Sequence, residues 1–239
     1  NNIFKRAGLE IDGIVPITLA ERNLILDKNE LHDNIAIIDV GAENTDIGVF
    51  EGTTYVYTNS MPVGGENITN DIALVLNIEK EEADKLKRQY GLALKSFIDN
   101  DNDIILNTCK DNNKNKIIKS SELIEIIEAR IEDMFLIINK DLTNQGIKSR
   151  INNVILTGQG IVNISKSDVA GKINLNIPVK ISTGRLIGTT KPAYRTAYAL
   201  VRYIASRPFT KTVSSSIDTK SDENIFKNIL EKIKEFFYS

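Results

Sequence analysis

The chain of 239 residues is 41% apolar and 26% charged, an ordinary globular mixture long enough for one large domain or two moderate ones, each with its own core. A net charge of −2 gives no electrostatic footprint for nucleic acid, and one cysteine, Cys109, excludes an internal disulfide and points to a reducing, cytosolic setting. One His and one Cys leave a zinc site short of ligands, and a Ser-His-Asp centre would rest on His32, which reads as surface in the polar stretch LHDN. Ile3, Phe4, Ala7 and Leu9 suggest a helix over about 1–8, ended by Gly8. IVPITL (14–19) reads as a short strand, AERNLIL (20–26) as a short helix and DKNELHDN as a polar loop. Three strands follow at 35–40, 45–51 and 54–61, joined by a break at 41–44 and by Gly52-Thr53, both of hairpin length. After the turn Met61-Pro62-Val63-Gly64-Gly65 comes a helix over 66–76 with Ile68, Ile72, Val75 and Leu76 on one face.

Glu79 to Tyr90 is a second helix, acidic early and basic late, as the helix dipole favours. IILNTC (104–109) and NKIIK (115–119) are short strands around a DNNKN turn. Ser120 and Ser121 are candidate caps for a helix running to Leu142 with the stripe Leu123, Ile127, Ile131, Met134, Phe135 and Ile138. NVILT (153–157) and IPVKIS (177–182) are strands, the first followed by Gly158-Gln159-Gly160. Pro192 opens a helix to Ser206 with Ala193, Ala197, Leu200, Val201 and Ile204 facing in. Residues 207–223 carry few large apolar groups and read as a linker. Strands mixed with helices make the chain α/β. No run of eighteen apolar residues offers a spanning helix. The chain opens with neither a signal peptide nor Met, which suggests a piece of a longer protein.

Three stretches carry chemistry. In IAIIDVGAENTDIGVF (35–50), the bend between two apolar strands can aim successive amides at one point, a nest for phosphate oxygens. Asp39, at the end of the first strand, can hold Mg²⁺ through water, and Thr45 can add a hydroxyl. The same residues also describe a hairpin with a polar tip, and this stretch alone leaves both open. In ILTGQG (155–160) a strand ends in two glycines that would let a base or ribose lie flat on backbone, although such turns are common. In VGGENITNDIALVLNIEKEEADKLKRQYGLAL, Gly64-Gly65 opens a helix and the next helix carries Asp84, Lys87 and Arg88, a set that equally suits a solvated face.

In this order and spacing the stretches resemble the actin/sugar-kinase/Hsp70 superfamily, and within it the FtsA family of bacterial cell-division actin homologues. The resemblance rests on IIDVGAENTDIGVF (family pattern roughly D-I-G-G-G-T-T-D), VGGENITNDIA, EEADKLKRQYG, ELIEIIEARIEDMF and VILTGQGI, and covers about 1–205. The pilus-assembly relative PilM shares GAE-x-T and the EEA-x-x-LKR helix, so a pilus scaffold is the alternative.

The resemblance implies an actin-like (ribonuclease H-like) ATPase lobe with a smaller inserted α/β subdomain. Residues 1–33 would end the first lobe, 34–76 and 120–206 would form the second, and 77–119 would be the insertion. It implies ATP and Mg²⁺ as cofactors. Gly41, Ala42, Asn44 and Thr45 would surround the β/γ-phosphates, with Asp39 near the metal. Gly65 would lie near the α-phosphate and ribose, Asp84, Lys87 and Arg88 at the ribose and base edge, and Gly158, Gln159 and Gly160 along the adenosine. Ala42, Glu43 and Gln159 replace family glycines. Glu43 matters most, because two like charges ~4 Å apart cost roughly 1–4 kcal/mol at effective dielectrics of 80 to 20. ATP in this superfamily sits between two lobes and the first phosphate loop precedes residue 1, so a fragment with no catalytic residue and little hydrolysis is expected.

The resemblance also implies partners: the FtsZ C-terminal tail received by the insertion, further copies of the chain in a polymer, and other division proteins. The tail supports a membrane partner at the cytoplasmic face of the division site. Ile225, Phe226, Ile229, Leu230, Ile233, Phe236 and Phe237 gather on one helical face over 224–239. Full burial of seven such side chains is worth roughly 10–20 kcal/mol gross, most of it offset by ordering and partial immersion. Three lysines (227, 232, 234) against two glutamates (231, 235) leave burial, not charge, to dominate. The same face also suits a helix docked on its own domain or on another protein.

Overall fold

A computed structural model describes residues 2–11, 13–26, 28–106, 116–182 and 192–206. The end of the strand expected over 104–109, the turn expected at 111–115, the linker at 207–223 and the amphipathic tail at 224–239 lie outside them. Contacts divide the chain into Asn1–Leu200 and Val201–Ser239, and only 201–206 of the second unit are described.

In chain order the elements are α1 (Asn2–Arg6), α2 (Ile17–Ile25), β1 (Ile35–Val40), β2 (Thr45–Glu51), β3 (Thr54–Met61), α3 (Gly65–Leu76), α4 (Lys80–Tyr90), β4 (Asp103–Leu106), β5 (Lys116–Lys119), α5 (Ser120–Asn144), β6 (Asn153–Thr157), α6 (Ser167–Leu175), β7 (Val179–Ile181) and α7 (Pro192–Ala205). A five-stranded sheet runs β3-β2-β1-β6-β7. The β1–β2–β3 meander is antiparallel, whereas β1–β6 and β6–β7 are parallel. The central strand β1 is apolar on both faces, as a strand covered on both sides must be. Ala36, Ile38 and Val40 join the main core with Ile68, Ile72, Leu123, Ile127, Ile131 and Phe135 from α3 and α5. Ile35 and Ile37 are equally buried on the other face, where α2 packs on β1 and β2. At Gly48 that packing is too close for a side chain: a Cβ would lie 2.3 Å from Thr18 Oγ1. The two-stranded β4–β5 sheet adds Ile104, Leu106 and Ile118 to the same main core.

Five local expectations differ. Residues 14–19 are not a strand. Pro16 instead accepts the Leu19 and Ala20 amides and starts one helix that absorbs both predicted pieces. The polar loop contains a 3₁₀ turn over Lys28–His32, with His32 exposed as expected. Ser120 and Ser121 do not cap α5. The Asp101 carboxylate accepts the Ser121 amide and both serine hydroxyls, while Glu122 accepts the Lys119 amide. Val75 is 62% exposed, so α3 turns a narrower stripe inward. On α7, Arg195 and Ala199 are buried and Ala197 is exposed, because this helix meets a carboxylate-bearing surface where the apolar pattern anticipated a hydrophobic one. The helix α6 was not anticipated. It is nine residues long, held between left-handed Lys166 and Asn176, and its weak apolar pattern gives little signal.

Candidate functional site

Because β1 and β6 are parallel, the turns that follow them leave the sheet at the same end, where open α/β sheets form their crevices. The turn after β3 reaches that end too, since Met61 pairs with Thr45. Backbone bonds lock the three together. The Gly41 amide donates to Asn44 O (2.8 Å), Gly65 to Gly41 O (3.0 Å), Glu66 to Ala42 O (2.8 Å) and Gly160 to Val40 O (2.8 Å). Approach this close needs bare backbone: a Cβ on Gly64 would meet Ala42 O at 2.5 Å, and one on Gly158, whose φ is +95°, would meet Val40 O at 2.2 Å.

The result is a hollow of about 380 Å³. Ten of the predicted residues line it: Asp39, Gly41, Ala42, Gly65, Asp84, Lys87, Arg88, Gly158, Gln159 and Gly160. Asn44 and Thr45 do not. The Asn44 carbonyl closes the turn, and Thr45 is fully buried with its hydroxyl donated to Val63 O (2.7 Å). The Gly41, Gly65, Glu66 and Gly160 amides are spent on neighbouring loops, whereas those of Ala42, Glu43 and Asn44 take no partner among the described residues. Glu43 is exposed beside the tip, and the nearby Lys80 is paired with Glu66.

On α4, Lys87 Nζ is bonded to Thr69 Oγ1 (2.6 Å) and Gly65 O (3.0 Å) and lies 3.2 Å from Asp84 Oδ1. It therefore pins the start of α3 to α4. Arg88 Nε donates to Asp84 Oδ2 at 2.7 Å. Partial burial pushes the Asp84 carboxyl up, but the bonds from Arg88 and Lys87 together hold it below the usual carboxylate range.

The sequence reading missed Glu66 and Arg195, which line the hollow, and Glu21, which pairs with Arg195. Glu21 of α2 is fully buried, and Arg195 of α7 is 2% exposed. Arg195 Nε donates to Glu21 Oε1 (3.1 Å), and Nη2 lies 3.7 Å from Asp39 Oδ1. Burial, and then the nearby Asp39, push Glu21 up to about 7 despite Arg195. Asp39 is raised as well, by burial and by Asp46, its cross-strand partner, against the pull of Arg195. The buried pair had a faint signal: Glu21 lies three residues from Thr18 and Leu24 on the buried face of α2, and Arg195 four before Ala199 on α7. A charge on such a face must be paired, but sequence does not name the partner.

Burial is the first cause of both shifts, and neighbouring carboxylates add to it. Among the described residues no group of three or more His, Cys, Asp or Glu is placed to hold a metal ion, so Asp39 at the hollow is left as a single carboxylate that could meet a hydrated Mg²⁺ only through water.

The family model for "Cell division protein FtsA" matches residues 36–199, well over half of the chain. The chain belongs to the FtsA family. It is 32% identical over 199 residues to FtsA of Bacillus subtilis (83% of this chain, 45% of that protein) and 25% identical over 239 residues to FtsA of Pseudomonas aeruginosa (97% and 57%). It thus spans about half the length of the curated relatives it matches. Among solved structures, MreB5 of Spiroplasma citri bound to ADP superposes with a TM-score of 0.66 at 19% identity, covering 86% of this chain and 66% of that one. A PilM–PilN pilus biogenesis complex gives 0.58 at 16%, covering 85% and 56%. These likenesses establish an actin-like fold, matching the expectation, and the FtsA family match stands over the pilus-scaffold alternative.

Proposed function

We propose that the hollow is the second half of an ATP–Mg²⁺ site, and that the chain serves an FtsA-type protein that tethers FtsZ to the cytoplasmic face of the membrane at the division site. The observation that carries the nucleotide reading is the contact of the Gly41–Ala42, Gly64–Gly65 and Gly158–Gly160 turns around one hollow. Bare backbone there leaves room for a flat base and ribose, and the Ala42–Asn44 amides remain for phosphate oxygens. Asp39 would hold the metal through water, and the metal would offset phosphate charge. MreB5 of Spiroplasma citri has been solved with ADP and with AMPPNP, which supports the same class of ligand here.

The family supports the wider role. In that role residues 77–119 receive the FtsZ tail, copies of the chain assemble end to end, other division proteins dock, and the 224–239 helix lies on the membrane. Titration calorimetry with ATP tests the nucleotide reading. Saturable binding that Gly160→Val abolishes, while Gly13→Ala leaves it unchanged, is the expected result. No heat with ATP and Mg²⁺ would refute it.

A further inference from the structure

A bound polyphosphate needs donors, and the cations around the hollow are unequally free. All three Lys87 protons have acceptors close by, at Gly65, Thr69 and Asp84, and Arg88 Nε is committed to Asp84. Arg195 differs. It lines the hollow, is 2% exposed, and uses Nε on Glu21 with Nη2 near Asp39, yet Nη1 has no partner among the described residues. An unmade hydrogen bond on a buried charged group is costly, so such a donor is normally met by a ligand or water. A guanidinium is suited to the task. Its planar fork can rest one edge on a carboxylate and offer another to a phosphate, without giving up its charge.

We propose that Arg195 Nη1 binds a phosphoryl oxygen of the nucleotide, which makes Arg195 a chain-borne phosphate ligand held in place by Glu21. The inference rests on the nucleotide reading of the cleft. The competing account gives Arg195 a purely internal role, balancing Glu21 and Asp39.

The test compares ATP affinity of the wild-type chain, Arg195→Met and the double variant Glu21→Gln/Arg195→Met, each in Mg²⁺ and in EDTA, with circular dichroism to establish folding. The double variant removes the buried carboxylate together with its partner, so it guards against a single variant that fails to fold. At least tenfold weaker binding by the folded double variant, present in EDTA as well as in Mg²⁺, is expected. Wild-type affinity in the double variant would show that Arg195 only balances charge, and would overturn the proposal while leaving the nucleotide site intact. A loss confined to Mg²⁺ would place its action at the metal and overturn direct contact. Absence of wild-type ATP binding would instead overturn the nucleotide reading and this inference with it.

Discussion

A Cβ built on Gly65 would lie 2.6 Å from the Cα of Gly160, so the turn that opens α3 and the turn after β6 touch through bare backbone. Both residues are far apart in sequence, and neither turn alone would demand a glycine for this reason. Gly160 carries the tighter constraint, since its Cβ would also fall 2.2 Å from Gly41 O. Gly160→Ala is expected to cost about 1–3 kcal/mol through forced separation of the turns. Gly13→Ala, with open space around it, should stay within about 0.5 kcal/mol. Urea unfolding of the two variants measures the difference.

Stability should fall with rising pH near neutrality. Glu21 is pushed up to about 7 from 4.5, with burial the main cause, so between those values the folded chain binds more protons than the unfolded one. Its contribution is complete below about 4.5 and lost as pH rises through 7, on a scale of about 3 kcal/mol. Asp39 acts in the same direction. Asp84, Asp101 and Glu125 are held low and act oppositely, their contributions being lost in acid. Maximum stability is therefore expected on the acid side of about pH 5, and Glu21→Gln should flatten the decline between about pH 4.5 and 7. An unchanged slope in that variant would assign the decline to other groups.

The core should rank as its burial does. Ile131 is fully buried on α5, while Leu136 on the same helix is 48% exposed. Ile131→Ala is expected to cost about 2–5 kcal/mol. Leu136→Ala should cost under about 1 kcal/mol, because much of its side chain already meets water. Thermal and urea midpoints would report both.

Membrane attachment should reside in the tail. The intact chain is expected to float with liposomes, and deletion of 224–239 to abolish flotation. Replacing Phe226, Ile229 and Phe236 with Ser should do the same, because apolar burial outweighs the slight excess of lysine over glutamate. Equal flotation of intact and truncated chains would remove the anchor from the functional reading.

Periodicity was sufficient for the meander and the long helix. Alternation and hairpin spacing located β1, β2 and β3, and the 3.6-residue stripe located α5, because both patterns report which side of a local element is buried. It failed at Pro16, whose ring can either interrupt a strand or start a helix, and at α6, which is short and weakly patterned. The glycine turns were legible as motifs, and ten of the twelve residues proposed for nucleotide or metal line one hollow.

What the residues determined by themselves was the α/β class, most of the order of the elements and the presence of glycine-rich turns after β1, β3 and β6. These follow from local sterics and hydrophobic spacing, which act over a few residues. What the tertiary structure decided was which groups meet. Thr45 faces inward to Val63, Lys87 is occupied by Gly65 and Thr69, and Glu21 is joined to Arg195 across 174 positions. Long-range pairing of buried charges depends on how helices dock on the sheet, and no short stretch of sequence carries that information.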